Sequence, residues 1–269
     1  MLHIATAHFG SPDWIEIQTR YLRRHIAVPY QTWASLESID ASYGSYFDHI
    51  IDHAGRHSDK LNHLATEILG EARADDLLMF LDGDAFPIKD PMPLIAEGLA
   101  RAKLVAVRRS ENLEDRQPHP CFCVTTAGTW RQLCGDWSAG YCWVNSRGIR
   151  RTDVGGNLLR KLELTQTPWV EVLRTNRRNL DPLLFAIYGD TIYHHGAGFR
   201  NTLSQVHVAR APTPRPLSYL PLPWRLRRQL ALEPRRAWVR RERRRQQRQS
   251  RGVMERIRRD DPNWLDDFI

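Results

Sequence analysis

The chain has 269 residues, 42% of them hydrophobic and 26% charged, with a formal net charge of +8. Its length suits one large domain or a domain with an appendage, and its apolar content excludes collagen-like, mucin-like and wholly disordered chains. Fifteen arginines and three glutamates between positions 224 and 259 carry +12. The overall +8 less this +12 leaves −4 on the rest, so the basic character belongs to one C-terminal segment.

In chain order, residues 2–7 predict a first strand. Residues 13–25 place Trp14, Ile17, Tyr21 and Leu22 at helical spacing. Short strands are expected at 30–33 and 49–51, and a helix at 61–69 through Leu61, Leu64 and Ile68. Residues 76–81 form an apolar run behind two acids, the pattern of a strand buried on both faces of a mostly parallel sheet. A helix at 91–102 and a strand at 104–107 follow. This alternation predicts an α/β sheet with right-handed crossovers. Further on, a strand is expected at 121–126, a helix at 155–164 capped by Asp153, and a strand at 191–195 ending at glycines. Five prolines between 211 and 223 mark a linker, and residues 224–259 suit an Arg-rich helix.

The stretch from Phe80 to Pro87 carries the chemistry, because a buried strand runs directly into Asp82-Gly83-Asp84. Ligands of open α/β sheets bind beyond the carboxyl ends of the strands. Two carboxylates placed there can share a hard cation, Mg²⁺ or Mn²⁺, whose coordination is completed by phosphates. Gly83 lets the backbone approach a ligand closely.

With Leu81-Asp82-Gly83-Asp84-Ala85-Phe86-Pro87 behind its strand, the sequence resembles the GT-A fold nucleotide-sugar glycosyltransferases over about residues 1–205. The resemblance implies an α/β fold, GT-A (Rossmann-like), with a mixed, mostly parallel sheet flanked by helices and a basic helical extension at the C-terminus. It implies a catalytic domain at 1–210, with a donor-binding half at about 1–110 and an acceptor half at about 111–210. Residues 211–269 are then a Pro-rich linker and Arg-rich tail. The donor is a nucleotide diphosphate sugar, and the cofactor is Mn²⁺ or Mg²⁺ on Asp82 and Asp84, with Asp82 also meeting the ribose. Ala5 stands at the nucleotide-binding start, and Lys60 lies where the family contacts nucleotide or diphosphate.

The segment from Tyr193 to Arg200 is similar to the His-x-x-Gly motif of retaining, glycogenin-like members, where a histidine is the third metal ligand and a basic residue holds the diphosphate. His194 and His195 both compete for that role; His195 has the motif's spacing, with Gly198 and Arg200 as diphosphate contacts. Adjacent strand residues point to opposite faces, so only one of the two histidines reaches the metal. The family's lysine is absent, and Arg200 stands in its place. The resemblance also implies a carboxylate near the reacting centre: Asp153, or Asp181 before Pro182. Either acid also suits a purely local role, as a helix cap or a turn acid. Arg109 follows the strand at 104–107, where it can hold donor phosphate or sugar. His119, between two prolines, reads as loop structure. Trp130, Trp137, Trp143 and Trp169 fall in the acceptor half, where aromatic faces suit sugar stacking and equally suit a core.

Cys121, Cys123, Cys134 and Cys142 have neither disulfide-scaffold nor zinc-knuckle spacing. No run of 18 apolar residues occurs, and residues 1–7 lack signal-peptide character, so a cytoplasmic protein is expected. The arginine helix, with Trp224, Leu226, Leu230 and Trp238, suits an anionic membrane surface at the inner face, consistent with a glycan or lipid-linked acceptor. A solvated helix, or less readily a nucleic-acid contact, is the other reading of the same charge. The tail is expected to be separable from the catalytic centre, with the acidic last ten residues folding back on it. Two competing functions are a nucleotidyltransferase, whose Gly-rich, Lys-bearing loop residues 7–11 do not supply, and a nucleic-acid-binding protein acting through the arginines.

Overall fold

The computed structural model describes residues 1–198, 211–213 and 221–269. Strand β1 (Leu2–Phe9) and helix α1 (Asp13–His25) open the chain, followed by β2 (Tyr30–Glu37), β3 (His49–Ile51) and α2 (His57–Glu71). Then come β4 (Leu77–Phe80), β5 (Ala85–Pro87), α3 (Met92–Arg101), β6 (Leu104–Val107) and β7 (His119–Thr126). The second half holds α4 (Ala127–Leu133), the hairpin β8 (Trp143–Val144) and β9 (Arg150–Arg151), α5 (Gly156–Leu164), β10 (Trp169–Val172), β11 (Ala186–Tyr188) and β12 (Ile192–His194). A 35-residue helix, α6 (Trp224–Arg258), follows.

Seven strands form one sheet in the order β10-β6-β7-β4-β1-β2-β3. Only β7 runs antiparallel to its neighbours. This is the mixed, mostly parallel sheet flanked by helices that the sequence predicts. Side chains alternate across it, as strand geometry requires. Ala5, Ala7, Leu78 and Phe80 face α2, while Leu2, Ile4, Met79 and Leu81 face the side that carries α1 and α3. Trp130 packs tilted and Trp137 edge-on against Phe80, with centroids 4.7 and 4.9 Å away, and Trp143 is also buried. These three are core residues rather than sugar platforms.

A second, antiparallel sheet, β11-β12-β5, places β12 beside the chain that leaves Asp84. Helix α5 begins differently from expectation. Its cap is Gly155 at φ 87°, where an added Cβ would lie 2.3 Å from the Pro118 carbonyl oxygen, so Asp153 is not the cap. The strands that sequence reading omits have two to four residues, too few for a periodic signal.

The end of the chain is part of the core. Val253 and Ile257 of α6, with Trp264 and Phe268 beyond it, pack against Trp14, Tyr21, Phe86 and Tyr193. The acidic end does fold back: Asp261 lies 2.7 Å from Arg256, Asp267 also pairs with Arg256, and Asp260 reaches Arg24 at 2.6 Å. Among the described residues, no helix is long and apolar enough to cross a membrane.

Candidate functional site

A cavity of about 380 Å³ lies beyond the carboxyl ends of β1 and β4. Asp82, Gly83 and Asp84 form its floor where the chain turns from β4 into β5. Gly83 is required there: a Cβ would meet the Ala7 carbonyl oxygen and His8 Nδ1, each at 2.7 Å. The turn is held from behind by Gln18 of α1, which is fully buried. Its amide donates to the carbonyls of Asp82 and Ala85, both at 2.8 Å, while its Oε1 takes Thr6 Oγ1 and His8 Nε2, both at 3.1 Å.

Strand β12 completes the cluster. Its register pairs His194 with Ala85, which sends the His194 side chain toward the carboxylates. His194 Nε2 lies 3.4 Å from Asp84 Oδ1 and 3.8 Å from Asp82 Oδ2. One ligand atom from each of the three residues falls within 4.8 Å of the others. Two carboxylate oxygens and an imidazole nitrogen are a donor set that Mn²⁺ or Mg²⁺ accepts, and a cation at their centre reaches all three.

The expected ligand His195 is not in this cluster. It follows His194 in an extended chain and points to the opposite side, where Nδ1 meets the Tyr193 hydroxyl at 3.0 Å and Nε2 meets Ser250 Oγ at 2.7 Å.

Electrostatics pull the site toward charged forms. Burial works to raise the pKa of Asp84, but the His194 imidazole and the Gly198 N–H, which donates at 2.9 Å, outweigh it and hold the carboxyl well below the usual range. Gly198 has no room for a side chain, since a Cβ would lie 2.7 Å from both Asp84 Oδ2 and Trp14 Nε1. Burial opposes charge on His57, but Asp82, whose Oδ1 lies 2.9 Å from His57 Nε2, outweighs it and raises the histidine's pKa.

The cations line the walls. Lys60, buried on α2 one turn from His57, pairs with Glu37 and faces the ring of Phe9 at 5.0 Å. Arg109 lies on the opposite wall, 3.3 Å from Asp115 and 3.5 Å from Asp153. Burial disfavours its charge, but Asp115 and the groups around it more than compensate and raise its pKa. Asp153 itself lines the cavity.

Two expected residues lie elsewhere. Ala5 is fully buried in the core facing α2, and Ala7 and Phe9, further along β1, line the cavity instead. Asp181 does not line it; its Oδ1 accepts the N–H groups of Leu183 and Leu184 as a turn acid. Arg200 lies outside the described residues.

No family model matches the chain, and no curated protein matches it. Among solved structures it is similar to S. aureus TarS, at 9% identity and TM-score 0.38, over 51% of this chain and 30% of that one. It is also similar to the mannosyltransferase PcManGT from Pyrobaculum calidifontis, solved with GDP-Man and Mn²⁺, at 12% and 0.38 over 51% and 47%. A third is the glycosyltransferase GlyE of Streptococcus pneumoniae, at 14% and 0.40 over 63% and 44%. The chain thus spans less than half the length of each. Its own architecture is a mixed, mostly parallel sheet flanked by helices, with an Asp-Gly-Asp at the end of β4.

Sequence reasoning gave no role to Gln18, His8 or Asp115, and read His119 as loop. His119 begins β7 and lines the cavity, with Nδ1 3.9 Å from Asp82 Oδ2. The signal for Gln18 is a polar residue on the apolar stripe of α1, between Trp14, Ile17 and Tyr21.

Proposed function

We propose that the protein is a metal-dependent glycosyltransferase. It moves a sugar from a nucleotide diphosphate sugar to a hydroxyl of a glycan or lipid-linked acceptor, in glycan or surface polysaccharide biosynthesis. The convergence of Asp82, Asp84 and His194 at the strand-end cavity carries this reading. The imidazole in the set suits Mn²⁺ better than Mg²⁺, which prefers all-oxygen surroundings. A bound ion there supplies positive charge against the negative charge that develops on the departing diphosphate.

The chain's own groups do the rest. Phe9 presents a ring to the nucleotide at the cavity rim. Lys60 and His57, on one side of α2, meet the diphosphate. Arg109, fixed by Asp115, holds the donor sugar or its phosphate from the far wall, and Arg200 is a second phosphate contact. Asp153, beside Arg109, takes the acceptor hydroxyl or lies beside the reacting carbon. Retention is the stereochemical outcome we favour, supported by a histidine that joins the carboxylates just before a glycine-bearing loop. The protein works in the cytoplasm, with α6 resting on the anionic inner face of the membrane.

The test is release of nucleoside diphosphate from a panel of nucleotide sugars, with and without Mn²⁺. Release that requires Mn²⁺ and vanishes in Asp84→Ala supports the proposal. Mn²⁺-independent release, or none from any donor, counts against it.

A further inference from the structure

Helix α6 reaches the metal cluster through one side chain. Gln246, Ser250, Val253 and Ile257 fall along one face of the helix at spacings of four, three and four, and Gln246, Val253 and Ile257 are buried there. The two apolar members fill the aromatic cluster. Ser250 instead bonds the ring of His195, its Oγ 2.7 Å from Nε2.

His195 is enclosed on every side. Its ring lies 4.5 Å from that of Trp14 and 5.3 Å from that of Phe185, and its Nδ1 meets the Tyr193 hydroxyl. Both ring nitrogens are therefore occupied, Nδ1 by the Tyr193 hydroxyl and Nε2 by Ser250 Oγ. Its backbone N–H donates to the Asp84 carbonyl at 2.9 Å, and its carbonyl accepts the Phe185 N–H at 3.0 Å. His195 therefore joins a ligand that precedes it in the chain, His194, to a ligand across the sheet, Asp84.

We propose that Ser250 and His195 are positioning residues. The bond between them fixes the spacing of His194 and Asp84, which makes the tail helix a determinant of metal affinity. This rests on the proposed metal site. Groups that orient metal ligands from behind are typically worth about 10- to 100-fold in affinity, and the lower end suits a contact one residue removed from the ligand.

The experiment is Mn²⁺ titration of the full chain, followed by the electron paramagnetic resonance signal of free Mn²⁺, with no donor present. The wild type should bind one ion and Asp84→Ala none. Ser250→Ala should bind roughly tenfold more weakly, and Ser250→Thr, which keeps the hydroxyl, should regain the affinity. Val253→Ala serves as the control, since it loses core packing and should melt earlier while binding Mn²⁺ normally. Wild-type affinity in Ser250→Ala, with Asp84→Ala still inert, overturns the coupling alone. Equal weakening in Ser250→Ala and Val253→Ala also overturns it, because general loosening would then be the cause. Failure of the wild type to bind, or binding that survives Asp84→Ala, overturns the metal site and the coupling together.

Discussion

Gln18 joins α1, β1 and the Asp-Gly-Asp turn through one amide group. Replacing it with alanine leaves the carbonyls of Asp82 and Ala85 without their side-chain donor in a dry interior. The Asp82 carbonyl keeps the Ala85 N–H, so the loss is that of two buried hydrogen bonds, about 0.5–1.5 kcal/mol each. Gln18→Ala should therefore lower the melting temperature and also weaken donor binding, because the turn holds both carboxylates; thermal denaturation beside donor titration checks both, and unchanged donor affinity would separate the turn from the site. The two carboxylates were legible in the sequence because a buried strand and its terminal acids are neighbours in the chain. The third member of the cluster was not. Strand alternation allows only one of His194 and His195 to reach the site, but which one depends on the pairing of His194 with Ala85, a contact across more than a hundred residues.

Asp136 shows the same dependence on distant partners between elements. It accepts bonds from Asn62 of α2, Asn157 of α5 and the N–H of Ser138, which ties both helices to one loop. Burial alone would raise its pKa, but these donors outweigh it and bring it down to about 2. A carboxyl with a depressed folded pKa contributes stability that is complete above its unfolded value of 3.8 and is lost as pH falls toward 2. Asp136→Asn should accordingly be less stable than the wild type at neutral pH, with the gap closing between pH 3.8 and about 2 in denaturant titrations. A gap independent of pH would assign the loss to packing. Helix α6 carries the other element-scale expectation. Its first turns expose Trp224, Leu226 and Leu230 among arginines, and Arg241, Arg244 and Arg248 form no ion pair among the described residues. The full chain should sediment with phosphatidylglycerol vesicles, not with phosphatidylcholine, and high salt should release it because screening shortens the attraction to about 3 Å at 1 M. Equal sedimentation with both lipids would remove the membrane from the proposal.

At the scale of the whole molecule, the tail is less separable than its charge suggests. The sequence shows a basic helix after a proline-rich stretch, and that helix is present. Its contribution to the core was hidden because Val253, Ile257, Trp264 and Phe268 are scattered among charged residues and make sense only beside Trp14, Tyr21, Phe86 and Tyr193. Burying four such side chains is worth roughly 6–12 kcal/mol at 1.5–3 each, comparable to the net stability of a domain. A chain cut near Pro221 should therefore fail to fold cooperatively; the expectation from sequence that it keeps its ligands required a tail that covers no core, and this one does. Cooperative melting of the shortened chain at the wild-type temperature would restore the view of a detachable tail.

The central claim is a divalent-metal nucleotide site built from Asp82, Asp84 and His194. Calorimetric titration of the full chain with nucleoside diphosphates, in the presence and absence of Mn²⁺, tests it most directly when Asp84→Ala, His194→Ala and His195→Ala are run beside the wild type. Binding should tighten with Mn²⁺ in the wild type, lose that tightening altogether in Asp84→Ala and His194→Ala, and keep a weakened part of it in His195→Ala. Mn²⁺-dependent tightening that survives in Asp84→Ala, or that is lost in His195→Ala while persisting in His194→Ala, would contradict the site.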